Sequence, residues 1–109
     1  MRIAICEDNE GVLEIYGVLL SELGHDVEVF INPERVQHME FDLVFSDYIF
    51  NSIPLDKLSY NIPKEKLVII TGSPAIVSID CLFVVKKPIT VEILKEVCDN
   101  FTFLCPRVI

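Results

Sequence analysis

Ile3-Ala4-Ile5-Cys6-Glu7-Asp8-Asn9 decides how the rest of the chain is read, because a continuous apolar run stops there abruptly at two acids. A strand apolar on both faces belongs in a parallel sheet covered on both sides, and Arg2 to Cys6 fits that description. Three later runs repeat the pattern. Phe41 to Ser46 ends in Asp47, Leu67 to Ile70 ends at Thr71-Gly72, and Cys81 to Val85 ends at Lys86-Lys87-Pro88. His25 to Ile31 supplies a fifth strand, with Val27, Val29 and Ile31 in alternation.

Helix signals fall between these strands. From Asn9 to Leu23, Val12, Ile15, Tyr16, Leu19, Leu20 and Leu23 recur at spacings of three and four, and Gly24 follows as a left-handed stop. Asn32-Pro33 reads as a cap and the first position of a short second helix. Thr90 caps a last helix whose apolar face is Ile93, Leu94, Val97 and Phe101. Between Asp47 and Leu67 only Pro54 to Asn61 offers a helix, and between Thr71 and Cys81 only Ala75 to Asp80. The third and fourth helices are therefore expected to be short or degenerate. Strands alternating with helices imply an α/β fold with a parallel sheet. The expected organisation is one domain over residues 1–102 and a C-terminal tail, 103–109, interrupted by Pro106.

Composition agrees with a single compact unit. The chain has 109 residues, 51% of them hydrophobic and 24% charged, with mean hydropathy +0.46, enough apolar surface to offset chain entropy. A formal net charge of −8 disfavours direct binding to nucleic acid or to anionic membranes. The longest apolar runs are far shorter than the roughly 20 residues of a spanning helix. The N-terminus reaches Glu7-Asp8 before an apolar signal core develops, so the expected location is the cytoplasm. Cys6, Cys81, Cys98 and Cys105 form no CxxC pair and have no histidine at zinc-ligand spacing. They are expected to be reduced thiols, mostly buried, with Cys105 the exposed exception.

In a doubly wound sheet, ligands bind beyond the carboxyl ends of the strands. Glu7-Asp8, Asp47, Thr71 and a lysine of the Lys86-Lys87 pair all stand at such ends and should converge on one rim. Clustered carboxylates repel one another unless a proton or a divalent cation neutralises them. All-oxygen ligation with few protein ligands suits magnesium, which keeps several waters and is commonly held by one or two carboxylates together with phosphate oxygens. A lysine and a threonine hydroxyl suit phosphoryl oxygens, and an aspartate among them is a candidate nucleophile for an aspartyl phosphate.

With these segments in place, the chain resembles the response-regulator receiver domain of bacterial two-component signalling. The resemblance rests on Ile3-Ala4-Ile5-Cys6-Glu7-Asp8-Asn9, Phe41-Asp42-Leu43-Val44-Phe45-Ser46-Asp47, Val68-Ile69-Ile70-Thr71-Gly72 and Val84-Val85-Lys86-Lys87-Pro88, in family order. It implies a flavodoxin-like doubly wound five-stranded parallel sheet of order 2-1-3-4-5. It implies further that Asp47 accepts the phosphoryl group and that Glu7, Asp8, Asp47 and the main-chain carbonyl of Ile49 help hold Mg2+. Thr71 and Lys87 would bind the phosphoryl oxygens, Lys87 rather than Lys86 because the family lysine directly precedes the proline, and the Lys87-Pro88 bond would be cis. The donor would be a sensor histidine kinase or a histidine phosphotransfer protein, the readout a partner protein, and the chain a monomer or weak homodimer without enzymatic turnover of its own.

Two departures from the family pattern stand out. Val84 occupies the place of the usual aromatic switch residue, with Phe83 beside it and expected to face the other way. Asn51 stands where a proline is common, and no glycine follows it. Val84 and the shortened fourth helix motivate an alternative, a receiver-fold binding module that works independently of phosphorylation. A phosphohydrolase of the haloacid dehalogenase type is a poorer fit, since Glu7-Asp8-Asn9 lacks the Asp-x-Asp that such enzymes carry after strand one. Tyr48, next to Asp47, is expected to shape access to the phosphoacceptor. Phe101, Phe103, Leu104 and Val108 are expected to form a packed tail.

Overall fold

The computed structural model describes residues 1–104, with side chains to residue 101. The expectations for Cys105, Pro106 and Val108, and for the side chains of Phe103 and Leu104, lie outside the described residues. Five strands, β1 (Arg2–Cys6), β2 (Asp26–Phe30), β3 (Leu43–Asp47), β4 (Leu67–Thr71) and β5 (Phe83–Lys86), form one sheet in the order β2-β1-β3-β4-β5. Every neighbouring pair in it is parallel. This is the flavodoxin-like doubly wound order.

Burial follows the apolar runs. Ile3, Ala4 and Ile5 in β1, Leu43, Val44 and Phe45 in β3, and Leu67 to Ile70 in β4 are shut off from solvent on both faces. Two α-helices cover one face. Helix α1 (Glu10–Glu22) starts at Asn9, whose side chain accepts from the Val12 N–H at 3.1 Å, and ends before Gly24, which takes φ +92°. Helix α2 (Val91–Leu104) starts at Thr90, whose Oγ1 accepts from the Ile93 N–H at 3.3 Å. Leu13, Tyr16 and Leu20 from α1 and Leu94, Val97 and Cys98 from α2 pack with Ile3, Ile5, Phe45 and Val68 of the sheet.

The opposite face bears out the expectation of short or degenerate third and fourth helices, and the short second helix is reduced in the same way. The second helix is no more than 3₁₀ turns at Pro33–Arg35 and His38–Glu40. The Pro54 to Asn61 helix is one turn at Leu55–Lys57, and the Ala75 to Asp80 helix is one turn at Pro74–Ile76. Asn32 does cap Glu34, accepting its N–H at 2.8 Å, but the segment then offers only Pro33 and Val36 as buried anchors while Met39 is 83% exposed. Without an apolar stripe, helix nucleation is not repaid by packing. Single side chains seal the face instead: Val36, Phe41, Tyr48, Phe50, Leu55 and Ile62 pack on Ala4, Val44 and Ile69.

A two-stranded antiparallel ribbon, Ile49–Phe50 with Ile53–Pro54, follows β3 directly. Its connection is Asn51-Ser52, with φ of 50° and 68°. Two successive positive φ values define the type I′ turn, whose twist matches that of the flanking strands. On the outer edge of the sheet, α1 and β2 leave an open groove of about 670 Å³, floored by Leu13, Val18, Val27, Val29 and Ile31 and rimmed by Glu10, Glu14 and Glu22.

The turn generates a stability prediction. Ser52 holds a left-handed conformation that costs a side-chain-bearing residue roughly 1–2 kcal/mol, of which glycine's extra unfolded-state freedom returns part. Ser52→Gly should therefore raise stability by about 0.5 kcal/mol in chemical denaturation. An unchanged or lower midpoint would show that the turn is not strained at this position.

Candidate functional site

Strand register assembles the polar residues. Cys6 pairs with Ser46, so Glu7 and Asp47 leave the sheet side by side, with Asp8 following. Asp47 pairs with Ile70, which brings Thr71 to the same rim, and Thr71 pairs with Lys86, which brings Lys87. The Lys87 N–H donates to the Thr71 carbonyl at 2.9 Å, and the Lys87-Pro88 bond is cis. Lys86 is exposed, whereas Lys87 turns its ammonium inward.

The Lys87 Nζ lies 3.2 Å from Asp47 Oδ2 and 3.5 Å from Glu7 Oε2. The other carboxylate oxygens take backbone donors. Tyr48 N–H donates to Asp47 Oδ1 at 2.8 Å, Asn9 N–H to Glu7 Oε1 at 3.2 Å, and Asn51 N–H to Asp8 Oδ2 at 2.8 Å. Glu7, Asp8 and Asp47 each offer a carboxylate oxygen within 4.8 Å of the others. Such a set of hard oxygen donors, too few to complete a shell, fits magnesium with water in the remaining positions. Ile49 sits in the ribbon opposite Pro54, which has no N–H to donate to the Ile49 carbonyl.

These surroundings move the ionisations in different directions. Glu7 is only 4% exposed, and burial, reinforced by the nearby Asp47 carboxyl, pushes its pKa up to about 7. Asp8 is held below the usual carboxylate range, first by the Asn51 N–H. For Lys87, burial works against the charged form, but the Asp47 and Glu7 carboxylates outweigh it and hold the ammonium above its ordinary pKa. Thr71 is buried, and its Oγ1 accepts from the Ser73 N–H at 3.1 Å, which leaves the hydroxyl proton to donate elsewhere.

Two residues differ from their sequence reading. Tyr48 does not stand over the acidic rim: its ring is 2% exposed and packs in the core of the opposite face, so alternation along the chain carries it away from Asp47's side. Asn51 enters the site through its backbone, a role that residue type does not announce. Val84 is 41% exposed on the outer face of β5, while Phe83 packs against the layer under the helices.

Comparison with solved structures gives the fold a name. A response-regulator receiver domain from Methylobacillus flagellatus superposes with TM-score 0.74 at 20% identity, covering 93% of this chain and 98% of that one. The receiver domain of the hybrid histidine kinase CckA gives 0.70 at 22% identity, over 93% and 98%. A two-component response regulator from Clostridium difficile gives 0.71 at 15% identity, over 98% and 99%. No protein-family model and no curated protein matches the sequence. The chain thus has the fold of response-regulator receiver domains, at sequence distances where likeness shows fold alone.

The raised Glu7 pKa has a stability consequence in the absence of divalent cations. Between its ordinary value of 4.5 and about 7, the folded state holds this proton more tightly than the unfolded state does, so stability falls as pH rises through that window. Glu7→Gln keeps the shape and the acceptor for Asn9 while removing the titration. Its stability relative to the parent should rise from pH 4.5 and level off above pH 7, at an advantage on the order of 2 kcal/mol. Denaturant titrations at a series of pH values in a chelator check this; a difference independent of pH would mean that Glu7 ionises normally.

Proposed function

We propose that the chain is a receiver that accepts a phosphoryl group on Asp47 from a phosphohistidine of a sensor kinase or phosphotransfer protein. The reading makes it a phosphoprotein of bacterial two-component signalling that works in the cytoplasm and passes its state to a partner protein. The observation that carries it is the Lys87 ammonium held between Asp47 and Glu7, at 3.2 and 3.5 Å, at the rim where Asp8 and the buried Thr71 also meet. Among the described residues no helix is long and apolar enough to cross a membrane.

The chemistry follows from the contacts. Tyr48 N–H holds Asp47 Oδ1, so Oδ2, beside Lys87, is the oxygen set to attack phosphorus. The new O–P bond forms as the N–P bond of the donor breaks, and the departing imidazole nitrogen takes up a proton from solvent. Glu7, Asp8, Asp47 and the Ile49 carbonyl would hold Mg2+, which when bound neutralises charge on the carboxylates and phosphoryl oxygens. Lys87 then transfers its contact from the carboxylate to a phosphoryl oxygen, and the Thr71 hydroxyl donates to another. Because these groups are positioned before the reaction, little reorganisation is needed as charge grows.

A second reading keeps the fold and drops the phosphoryl cycle. Val84 stands exposed where the family carries its aromatic switch, and a single 3₁₀ turn at Pro74–Ile76 replaces the fourth helix. A module that binds a partner without phosphorylation would need neither. In both readings the output lies with another protein. The acid rim of the groove beside α1 opposes pairing of that face with its own copy and favours a positively charged partner surface.

The deciding experiment is intact mass after incubation with magnesium and a small acyl phosphate. The parent should gain one phosphoryl group and Asp47→Asn none, while chelation should abolish the gain. Lys87→Ala should slow labelling at least about tenfold through loss of one charge-assisted contact. Labelling that persists in Asp47→Asn would remove Asp47 from the role; absence of labelling from both small and phosphohistidine donors would leave the phosphorylation-independent module.

A further inference from the structure

Tyr48 is only 2% exposed yet carries four directed hydrogen-bond contacts, and they point to three different places. Its N–H donates to Asp47 Oδ1 at 2.8 Å. Its carbonyl accepts from the Leu55 N–H at 2.7 Å, which fastens the backbone behind the ribbon. Its hydroxyl lies 3.2 Å from Ser78 Oγ and accepts from the Ser78 N–H at 3.4 Å. Val77 and Ile79, on either side of Ser78, pack on the same core layer as the ring. One residue therefore links the carboxylate of Asp47, through its backbone N–H, to the segment between β4 and β5, through its ring hydroxyl.

That segment is otherwise lightly held. Residues 72–76 are exposed, with Ile76 at 50%, and the 3₁₀ turn closes only on itself through Ile76 N–H to Ser73 carbonyl and Val77 N–H to Pro74 carbonyl. Its front end is fastened by Ser73 N–H on Thr71 Oγ1, and its back end by Ser78 on Tyr48. Both fastenings lead to the acidic rim.

We propose that Tyr48 is a positioning residue that couples the charge on Asp47 to the back end of the 73–79 segment. The proposal rests on the reading of Asp47 as phosphoacceptor. Conversion of the carboxylate to an acyl phosphate replaces a charged acceptor by a neutral carbonyl, so the Tyr48 N–H loses a charge-assisted bond of about twice the ordinary strength. The peptide between Asp47 and Tyr48 then keeps the Ser46 hydroxyl on its carbonyl, at 2.9 Å, but is held more weakly at its N–H, so it can tilt about that remaining bond. An aromatic side chain has only two rotatable bonds, so a small rotation at its root is carried to the hydroxyl without being absorbed on the way. The grip on Ser78 loosens, and residues 76–79 change state together with Asp47. This path does not use position 84.

The test compares the parent, Tyr48→Phe and Ser78→Ala by amide hydrogen exchange and nitrogen–proton spectra, with and without magnesium and a small acyl phosphate, intact mass being read on every sample. In the parent, phosphorylation should shift the amides of 76–79 and lower protection of the Ser78 amide about fivefold, the loss of one ordinary hydrogen bond. Tyr48→Phe keeps the ring and the N–H to Asp47; its Ser78 amide should be unprotected from the outset and its 76–79 amides should no longer respond, although the mass still gains the phosphoryl group. Ser78→Ala, at an exposed position, removes the hydroxyl contact but keeps the backbone N–H on the Tyr48 hydroxyl, so its 77–79 amides should start less protected and still respond to phosphorylation. A parent that is labelled but shows no change at 76–79, or a Tyr48→Phe variant that responds as fully as the parent, overturns the coupling alone. A parent that gains no mass from either the small donor or a phosphohistidine donor overturns the phosphoacceptor reading and the coupling with it.

Discussion

A partly buried like-charge cluster, two of whose three acids share one ammonium, is the constraint on which the site depends. Two unit charges 4.8 Å apart repel by about 3 kcal/mol at an effective dielectric of about 20, and Glu7, Asp8 and Asp47 are kept within that range of one another. The register of three parallel strands imposes the crowding, since Cys6 beside Ser46 and Asp47 beside Ile70 leave the following side chains no other rim. The molecule absorbs the repulsion in three ways. Lys87 sits between two of the acids, backbone N–H groups of Tyr48, Asn9 and Asn51 each take one carboxylate oxygen, and Glu7 retains its proton up to about pH 7. A cluster built this way favours any additional positive charge that enters it, which is the physical basis for reading it as a divalent-cation site.

Much of this arrangement was legible in the chain because parallel strands buried on both faces are written as unbroken apolar runs, and their polar ends are forced to one edge. The grouping of Glu7, Asp8, Asp47, Thr71 and one lysine at that edge needs only the strand order and the one or two polar residues after each run, while the choice of Lys87 over Lys86 rests on the resemblance. Helices α1 and α2 were equally readable, each having a cap at its start and an apolar stripe that the sheet buries. In the middle of the chain the shortness of the helices was legible, but not their reduction to single 3₁₀ turns. The helix-like stretches after Pro33, Pro54 and Pro74 contain a start signal without enough apolar positions to be held, and local cap chemistry alone supports one 3₁₀ turn.

The ribbon after β3 shows a different limit. Asn-Ser is a weaker turn signal than Asn-Gly, and both residues adopt positive φ because the flanking pairs Ile49–Pro54 and Phe50–Ile53 close the loop around them. Its contribution to the site, the Asn51 N–H on Asp8, comes from the backbone and is invisible to any reading of side-chain types. Tyr48 is the converse case. Its type and its place beside Asp47 were plain in the sequence, but the direction of its ring is set by strand alternation carried one residue past the end of β3.

Loss of the three middle helices changes what the sheet's second face can transmit. A helix packed on a sheet moves as a body, and its displacement is spread over many contacts. Here the cover consists of separate anchors, among them Val36, Phe41, Phe50, Leu55 and Ile62, each seated from its own turn or loop. Among the described residues, a few of the loop contacts reach the acidic rim: Asn51 on Asp8 through the ribbon, Ser73 on Thr71, and Ser78 through Tyr48 on Asp47. A change of charge at Asp47 therefore meets discrete hydrogen bonds rather than a packed layer. Bonds of that kind are individually worth about 1 kcal/mol, small enough to be broken and re-formed at modest free energy, and directional enough that breaking one releases a defined stretch of chain. The reduced cover thus leaves the segment between β4 and β5 more directly subject to the state of the carboxylate cluster than a full helix in that position would be.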